Sequence, residues 1–259
     1  MDKLTSSTSF DGLHALEFID GKRRRYILDG KQVPGATTVG AMYPKGEGLI
    51  RWMIKQGLEE HEKKTKLAKA ADIGRIVHEY AYCNMSQKSF NWGLVDGSED
   101  AQIIRDCIRQ YDEWANRHVD DRPYAAELLI GSPSLRVASF IDLVLYRDAK
   151  VIIRDYKTGK KIYISALHQT ILYKRMLREW LDIEANELEI LKFSKEPETV
   201  PFESCVITND GINLNGTMFP VKDCFQELED QTMRNVATYR HTKHVEKILT
   251  DYYDAQYKK

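Results

Sequence analysis

LRVASFIDLVLYRDAKVIIRDYKTGK, Leu135 to Lys160, decides the fold. Two runs rich in Val, Ile and Leu flank Arg147-Asp148-Ala149, and each has the length of a strand rather than of a helix. They predict an antiparallel hairpin whose second strand ends in charge. Asp155 and Lys157 are two residues apart, on one face of a strand, just before the Thr158-Gly159 turn signal. If the chain reverses at Asp148-Ala149, cross-strand partners have numbers that sum to 297, and Asp142 faces Asp155. Directly opposed side chains on antiparallel strands stand about 4.5–5.5 Å apart at Cβ, where like charges repel. Two carboxylates placed there call for a cation between them, and hard oxygen ligands suit Mg²⁺ or Mn²⁺. The alternative is that both acids end their strands in solvent and Lys157 pairs with one of them.

Upstream of the hairpin, AAELLIG supplies a third strand, separated by Ser132-Pro133-Ser134, so that an antiparallel meander is expected. Before it, EDAQIIRDCIRQYDEWANRH places Ile104, Cys107, Ile108, Tyr111, Trp114 and Ala115 at helical spacing. After it, Leu172, Met176, Leu177 and Trp180 mark a helix from Ser165 to Trp180, with LEILKFS and FESCVIT as two more strands. From about Pro220 the pattern is helical. At the other end, Asp20-Gly21 and Asp29-Gly30 punctuate a small β-meander, with Thr37 or Thr38 as a cap for a short helix. A helical region follows from Leu49 to about Cys83, with a break near Lys63 to Lys69, and Met85 to Gly97 reads as a loop. The expected class is α/β, mixed α+β: a central mixed sheet flanked by helices. Residues 1–14 are expected as a flexible lead, and 15–259 as one domain. Within it, 15–65 form a β/helical lobe, 66–207 the core and 208–259 the C-terminal helices.

Composition narrows the function only by exclusion. A net charge of −1 neither favours nor excludes nucleic acid. No apolar run reaches the ~18 residues of a membrane span, and MDKLTSSTSFDG lacks the pattern of a secretory signal, so a cytoplasmic protein is expected. Cys83, Cys107, Cys205 and Cys224 are far apart with no CxxC pair, which argues against a zinc site and reads as reduced, core-facing thiols.

Two helices add polar groups to small or apolar faces. ADIGRIVHEYA puts His78 on the face of Ala71 and Gly74, and ALHQTILYKRMLREW puts Gln169 and Tyr173 on the stripe of Leu172, Met176 and Trp180. Singly, these read equally as a satisfied core histidine and a glutamine at a strand edge. Together with the acids, they resemble the RecB-like branch of the PD-(D/E)xK nuclease superfamily. That pattern runs Gly-x-x-x-His (Gly74 to His78), a Glu opening a strand (Glu127), Gly-x-x-Asp (Ser139 to Asp142), Asp-x-Lys (Asp155 to Lys157) and Gln-x-x-x-Tyr (Gln169 to Tyr173). Ser139 replaces the usual Gly and Ile141 the nominal Pro, both read as backbone or packing positions. The segment RRYILDGKQVPGATTVGAMYPKGEGLIRW also resembles the front of phage exonucleases and of the mitochondrial genome maintenance exonuclease.

The resemblance implies a restriction-endonuclease-like core and a metal-dependent DNA exonuclease acting on single strands or free ends in recombination, repair or replication, in host cytoplasm if phage-encoded. It implies Mg²⁺ or Mn²⁺ held by His78, Asp142, Asp155 and the Tyr156 carbonyl, with Glu127 assisting, and no iron–sulfur cluster. Lys157 would orient or activate the attacking water, and Gln169 and Tyr173 would position the DNA strand. A single-strand annealing or replication protein is the partner the family suggests. Basic runs at Lys22 to Arg25, Lys63 to Lys69 and Lys160-Lys161 read either as DNA-tracking patches or as solvated faces. Tyr43 and Trp52 read as base-stacking groups or as core. The alternatives in function are a structure-specific endonuclease and a catalytically silent nucleic-acid-binding module.

Overall fold

The computed structural model describes residues 3–10, 12–21, 24–42 and 60–257. Four antiparallel strands come first, β1 (Lys3–Phe10), β2 (His14–Asp20), β3 (Arg25–Leu28) and β4 (Lys31–Val33). The first of these corrects the expected flexible lead: residues 3–10 pair with β2, from Lys3 opposite Asp20 to Phe10 opposite His14. Thr5 to Ser9 is an unbroken run of Ser and Thr, and Thr favours extended backbone. Asp29-Gly30 makes the expected tight turn, with both residues left-handed at φ 51° and 70°. Next, α1 (Ala36–Gly40) starts at Gly35 with no side-chain cap, so Thr37 and Thr38 lie inside the helix rather than capping it.

The long helix α2 (Glu60–Met85) runs unbroken through 63–69, where a break was expected. Lys, Leu and Ala there are strong helix formers, with no Gly or Pro to interrupt them. Residues 43–59, with Tyr43 and Trp52, lie outside the described residues. One helical turn, α3 (Gly93–Asp96), interrupts the expected loop, and α4 (Ala101–Ala115) follows as the periodicity predicts.

The central sheet has seven strands. β5 (Arg122–Ser132), β6 (Val137–Arg147) and β7 (Lys150–Thr158) form the expected antiparallel meander. Helix α5 (Ile164–Leu181) then crosses to β8 (Glu187–Phe193), which pairs in parallel with β7. Asp148 and Ala149 both take left-handed backbone, at φ 49° and 61°, the two-residue turn whose twist matches that of the strands. Its register is the expected one, with Arg147 opposite Lys150 and Leu143 opposite Arg154. The core sheet does not end at 207. Beyond β9 (Glu203–Thr208), the turn at Asn209-Asp210 adds β10 (Gly211–Leu214) antiparallel to β9, and β11 (Thr217–Pro220) antiparallel to β10. After β11 comes a single helix, α6 (Cys224–Tyr257), rather than several.

Helices cover both faces of the sheet. On one side, α1, α5, α6 and the N-terminal sheet bury Leu16, Leu28, Val39, Leu172, Met176 and Trp180 against Ile141, Ile153 and Ile190. On the other, α2 and α4 bury Val77, Ile104, Cys107 and Tyr111 against Leu143, Ile152 and Leu191. Full burial of such side chains contributes roughly 1.5–3 kcal/mol each, and the sheet is held between the two layers. All four cysteines are buried and unpaired. Among the described residues, no helix is long and apolar enough to cross a membrane.

Candidate active site

The hairpin ladder stops at Leu143–Arg154, and Asp142 and Asp155 stand one step further on. There the Tyr156 amide donates to Asp142 Oδ2 at 2.8 Å. A third carboxylate lies in the same row. Ala126 pairs with Leu143 and Leu128 with Ile141, so Glu127 falls opposite Asp142 on its other side. Glu127 takes a left-handed backbone, φ 51°, a conformation that costs a non-glycine residue about 1–2 kcal/mol and breaks the strand's alternation. Three adjacent strands thus bring Glu127, Asp142 and Asp155 into one row across the middle of the strands.

Helix α2 adds His78, whose Nδ1 lies 3.5 Å from Asp142 Oδ2. The approach depends on Gly74, one turn earlier, where an added Cβ would meet Thr158 Oγ1 at 3.1 Å. His78, Glu127 and Asp142 each offer a ligand atom, and all three atoms lie within 4.8 Å of one another. An imidazole nitrogen with two carboxylate oxygens at that spacing fits a small divalent cation. Asp155 is not in that group. It is fully buried and held elsewhere, with Lys157 Nζ 2.5 Å from Oδ2 and the Gln169 amide donating to Oδ1 at 3.2 Å.

The electrostatics follow from the crowding. Burial pushes the Asp155 carboxyl up, Lys157 opposes, Asp142 adds repulsion, and the result is about 6. Glu127 is pushed up to about 7 by burial and then by Asp142, although part of its side chain is exposed. Burial also works against charge on Asp142, but His78 and Lys157 outweigh it and hold that carboxyl below its usual range. Likewise, Asp142 keeps His78 above its ordinary value despite burial. A cation would relieve this excess of negative charge, so the donor set and the charge balance both fit a bound divalent metal.

Gln169 and Tyr173, expected to position DNA, are buried and point inward. Gln169 also makes a short hydrogen bond to the Tyr173 hydroxyl, so the Gln169 amide links Tyr173 to Asp155. The Tyr156 ring packs on the opposite face against His78, Tyr111 and Phe193. Of the basic runs, Lys160 pairs with Glu196 at 3.4 Å and Lys161 lies over the exposed Tyr163 ring. Lys69 pairs with Glu99 at 2.6 Å and Arg24 with Asp20 at 3.7 Å; Lys22, Arg23 and the side chains of 63–68 lie outside the described residues.

Residues 87–244 match the family model of the PD-(D/E)XK nuclease superfamily. The chain belongs to this superfamily. A PD-(D/E)XK chain is a nuclease, a metal-dependent hydrolase acting on DNA, and its seven-stranded mixed sheet flanked by helices is the restriction-endonuclease-like core. No curated protein matches this nuclease chain. A solved structure described as the crystal structure of SSO0001 is 12% identical, with 64% of this chain and 74% of that chain covered and a TM-score of 0.29.

One polar residue of the nuclease site escaped sequence reading. Ser139, read as a packing position, is buried on the strand that carries Asp142. Its only signal in the sequence is that it departs from the family's Gly.

Proposed function

We propose that the protein is an exonuclease that hydrolyses DNA from free ends, preferring single strands, in recombination, repair or replication, with Mg²⁺ or Mn²⁺ as its metal. The observation that supports this reading best is the convergence of His78, Glu127 and Asp142 ligand atoms within 4.8 Å, next to the Asp155–Lys157 pair. His78, Glu127 and Asp142 would hold the cation, with Asp155 and the Tyr156 carbonyl as further donors. When bound, the metal would supply charge neutralisation at the scissile phosphate and a lowered pKa for the attacking water.

The chain's own groups do the rest. Lys157 Nζ, already turned to Asp155, carries positive charge and donors to where the phosphate oxygens gain charge in the transition state. The same donors orient the attacking water. Gln169 takes one Asp155 oxygen and Lys157 the other, so the carboxylate keeps one orientation. Lys160 and Lys161, just beyond the strand, are the nearest basic residues in sequence for contact with the DNA backbone, and such contacts are sequence-tolerant and salt-dependent.

The test is digestion of end-labelled linear and closed circular single-stranded DNA with Mg²⁺ or Mn²⁺, by wild type and Lys157→Ala. Loss of the linear substrate alone is expected, slowed roughly 10²–10³-fold in the variant. Cutting of the circles would make the protein an endonuclease. No cleavage by folded, metal-loaded wild type would leave a binding module.

A further inference from the structure

Shortly after Lys157 the chain turns an aromatic ring outward: Tyr163 is 55% exposed, and Ile164 beside it 43%. Singly exposed apolar side chains are ordinary on a protein surface, but this ring stands next to the metal site. Strand β7 ends at Thr158, whose Oγ1 lies against Gly74, one turn before His78 on α2. The loop 159–163 leaves from there and leads into α5, where Gln169 donates to Asp155 Oδ1 at 3.2 Å. From Tyr163 to Gln169 the helix rises ~1.5 Å per residue, which sets the ring's backbone about 9 Å along the axis from the group that holds Asp155. That span equals two to three base steps of about 3.4 Å.

The loop is held along its length. The Gly159 amide donates to Phe193 O on β8 at 3.2 Å, and the Ile162 amide to Glu203 Oε2 on β9 at 3.3 Å. In the first turn of α5, the Ala166 amide donates to Tyr163 O at 2.8 Å. Glu203 is fixed in turn by Lys192, a fully buried lysine whose Nζ lies 3.5 Å from the same oxygen and donates to Pro201 O. A buried ammonium is costly unless it is paired. Lys192 stands beside Lys157 in the register of β7 and β8, and its ammonium is committed to the support of the loop. A ring on such a backbone loses little freedom when it receives a flat partner. Lys161 Nζ lies 5.2 Å from the Tyr163 ring centroid, within the ~6 Å of a cation–π contact, and sets a positive charge beside the ring.

We propose that Tyr163 is a stacking platform for a base of single-stranded DNA about two to three nucleotides from the cut, with Lys161 on the adjoining phosphate. In a duplex the bases are already stacked on one another, so a single strand alone offers a free face to the ring. Stacking of this kind tolerates any sequence, because every base has a π-face. This inference rests on the nuclease reading and gives its preference for single strands a physical cause.

Tyr163 gives α5 no side-chain cap, so its replacement leaves the helix start as it is. The measurements are affinity for a labelled oligothymidylate and for a blunt duplex, by fluorescence anisotropy in chelator, and single-strand cleavage rates in Mn²⁺ over a range of DNA concentrations. Tyr163→Ala is expected to weaken oligothymidylate binding and raise KM roughly five- to hundredfold, the worth of one stacked base, with kcat and duplex affinity unchanged. Tyr163→Trp should bind as wild type does. On a strand of abasic spacers, wild type and Tyr163→Ala should bind alike. Lys161→Ala should reduce the salt dependence of binding by about one phosphate contact. Wild-type oligothymidylate affinity and KM in Tyr163→Ala, or an equal loss on the abasic strand or the duplex, would overturn the proposal. If wild type binds the oligothymidylate but cleaves no DNA, the nuclease reading falls and anisotropy alone decides this one. If wild type cleaves duplex DNA and neither binds nor cleaves single strands, this proposal falls and the nuclease assignment stands.

Discussion

Arg154 and Asp155 are neighbours on β7, both fully buried and pointing to opposite faces of the sheet, and their surroundings are opposites too. Arg154 has more than its share of counter-charge: Asp121 at 2.6 Å, Glu189 at 2.5 Å, and the Trp114 ring 4.0 Å from its guanidinium carbon. Arg147 joins Asp121 at 2.6 Å and closes the cluster. Burial works against charge on Arg154, but Glu189 and Asp121 outweigh it and raise its pKa. Arg147 and Arg154 likewise lower the pKa of Asp121 against the pull of burial. Asp155 has one cation, Lys157, and two further acids in its row. One face balances its charges within the protein, and the other leaves negative charge for something from outside. Balance marks a structural cluster and imbalance a working one.

The largest effect should come from breaking the balanced side. Arg154→Met strands Asp121 and Glu189 without their central partner, and loss of one member of a buried ion pair costs about 3–5 kcal/mol. Urea denaturation should show that loss; a change under about 1 kcal/mol would mean that the cluster behaves as a surface one. On the unbalanced side the same kind of change should spare the fold and remove the chemistry. Asp142→Asn is expected to lower the cleavage rate roughly 10²–10³-fold while costing metal-free stability only on the order of 1 kcal/mol, because His78 and Lys157 favour its charged form over the pull of burial. Equal losses of stability in the two variants would erase the contrast.

The smallest effect is in pH, and the two faces should differ in sign. Asp155 is raised to about 6, above an unfolded value near about 3.9. A raised group contributes stability that is full below the unfolded pKa and is lost as pH rises through the folded one. Asp121 is lowered, so its contribution is present above the unfolded value and is lost as pH falls through the folded one. In chelator, Asp155→Asn should therefore flatten the stability profile between about pH 4 and pH 6, and Asp121→Asn should flatten it below about pH 4. Urea midpoints from acid to neutral pH measure both; a shared window for the two variants would count against the assignment.

The hairpin was legible because its signals are local. Strand-length apolar runs and a reversal at Asp148-Ala149 fix a register that β6 and β7 keep, and the amphipathic period fixes α4. Signals without local force were less reliable. Residues 3–10 gain order only by pairing with β2, and β10 and β11 are four-residue strands that exist by adding to a sheet already formed. The polar residues in apolar stripes, Gln169 and Tyr173, were visible as anomalies, but which group they served was not. Ser139 was visible only as a departure from a pattern.

By itself, the sequence determined that this chain folds as a mixed α/β protein and that Asp142 stands across the hairpin from Asp155, two residues before Lys157, because strand alternation and turn position depend on residues a few places apart. Tertiary structure decided how the charges are shared. It put Glu127 opposite Asp142 on a strained backbone, turned His78 to Asp142, gave Asp155 to Lys157 and Gln169, and surrounded Arg154 with acids from β8 and the segment before β5. Those outcomes depend on distances between groups far apart in the chain and on how much water each has lost, and neither quantity exists until the layers have packed.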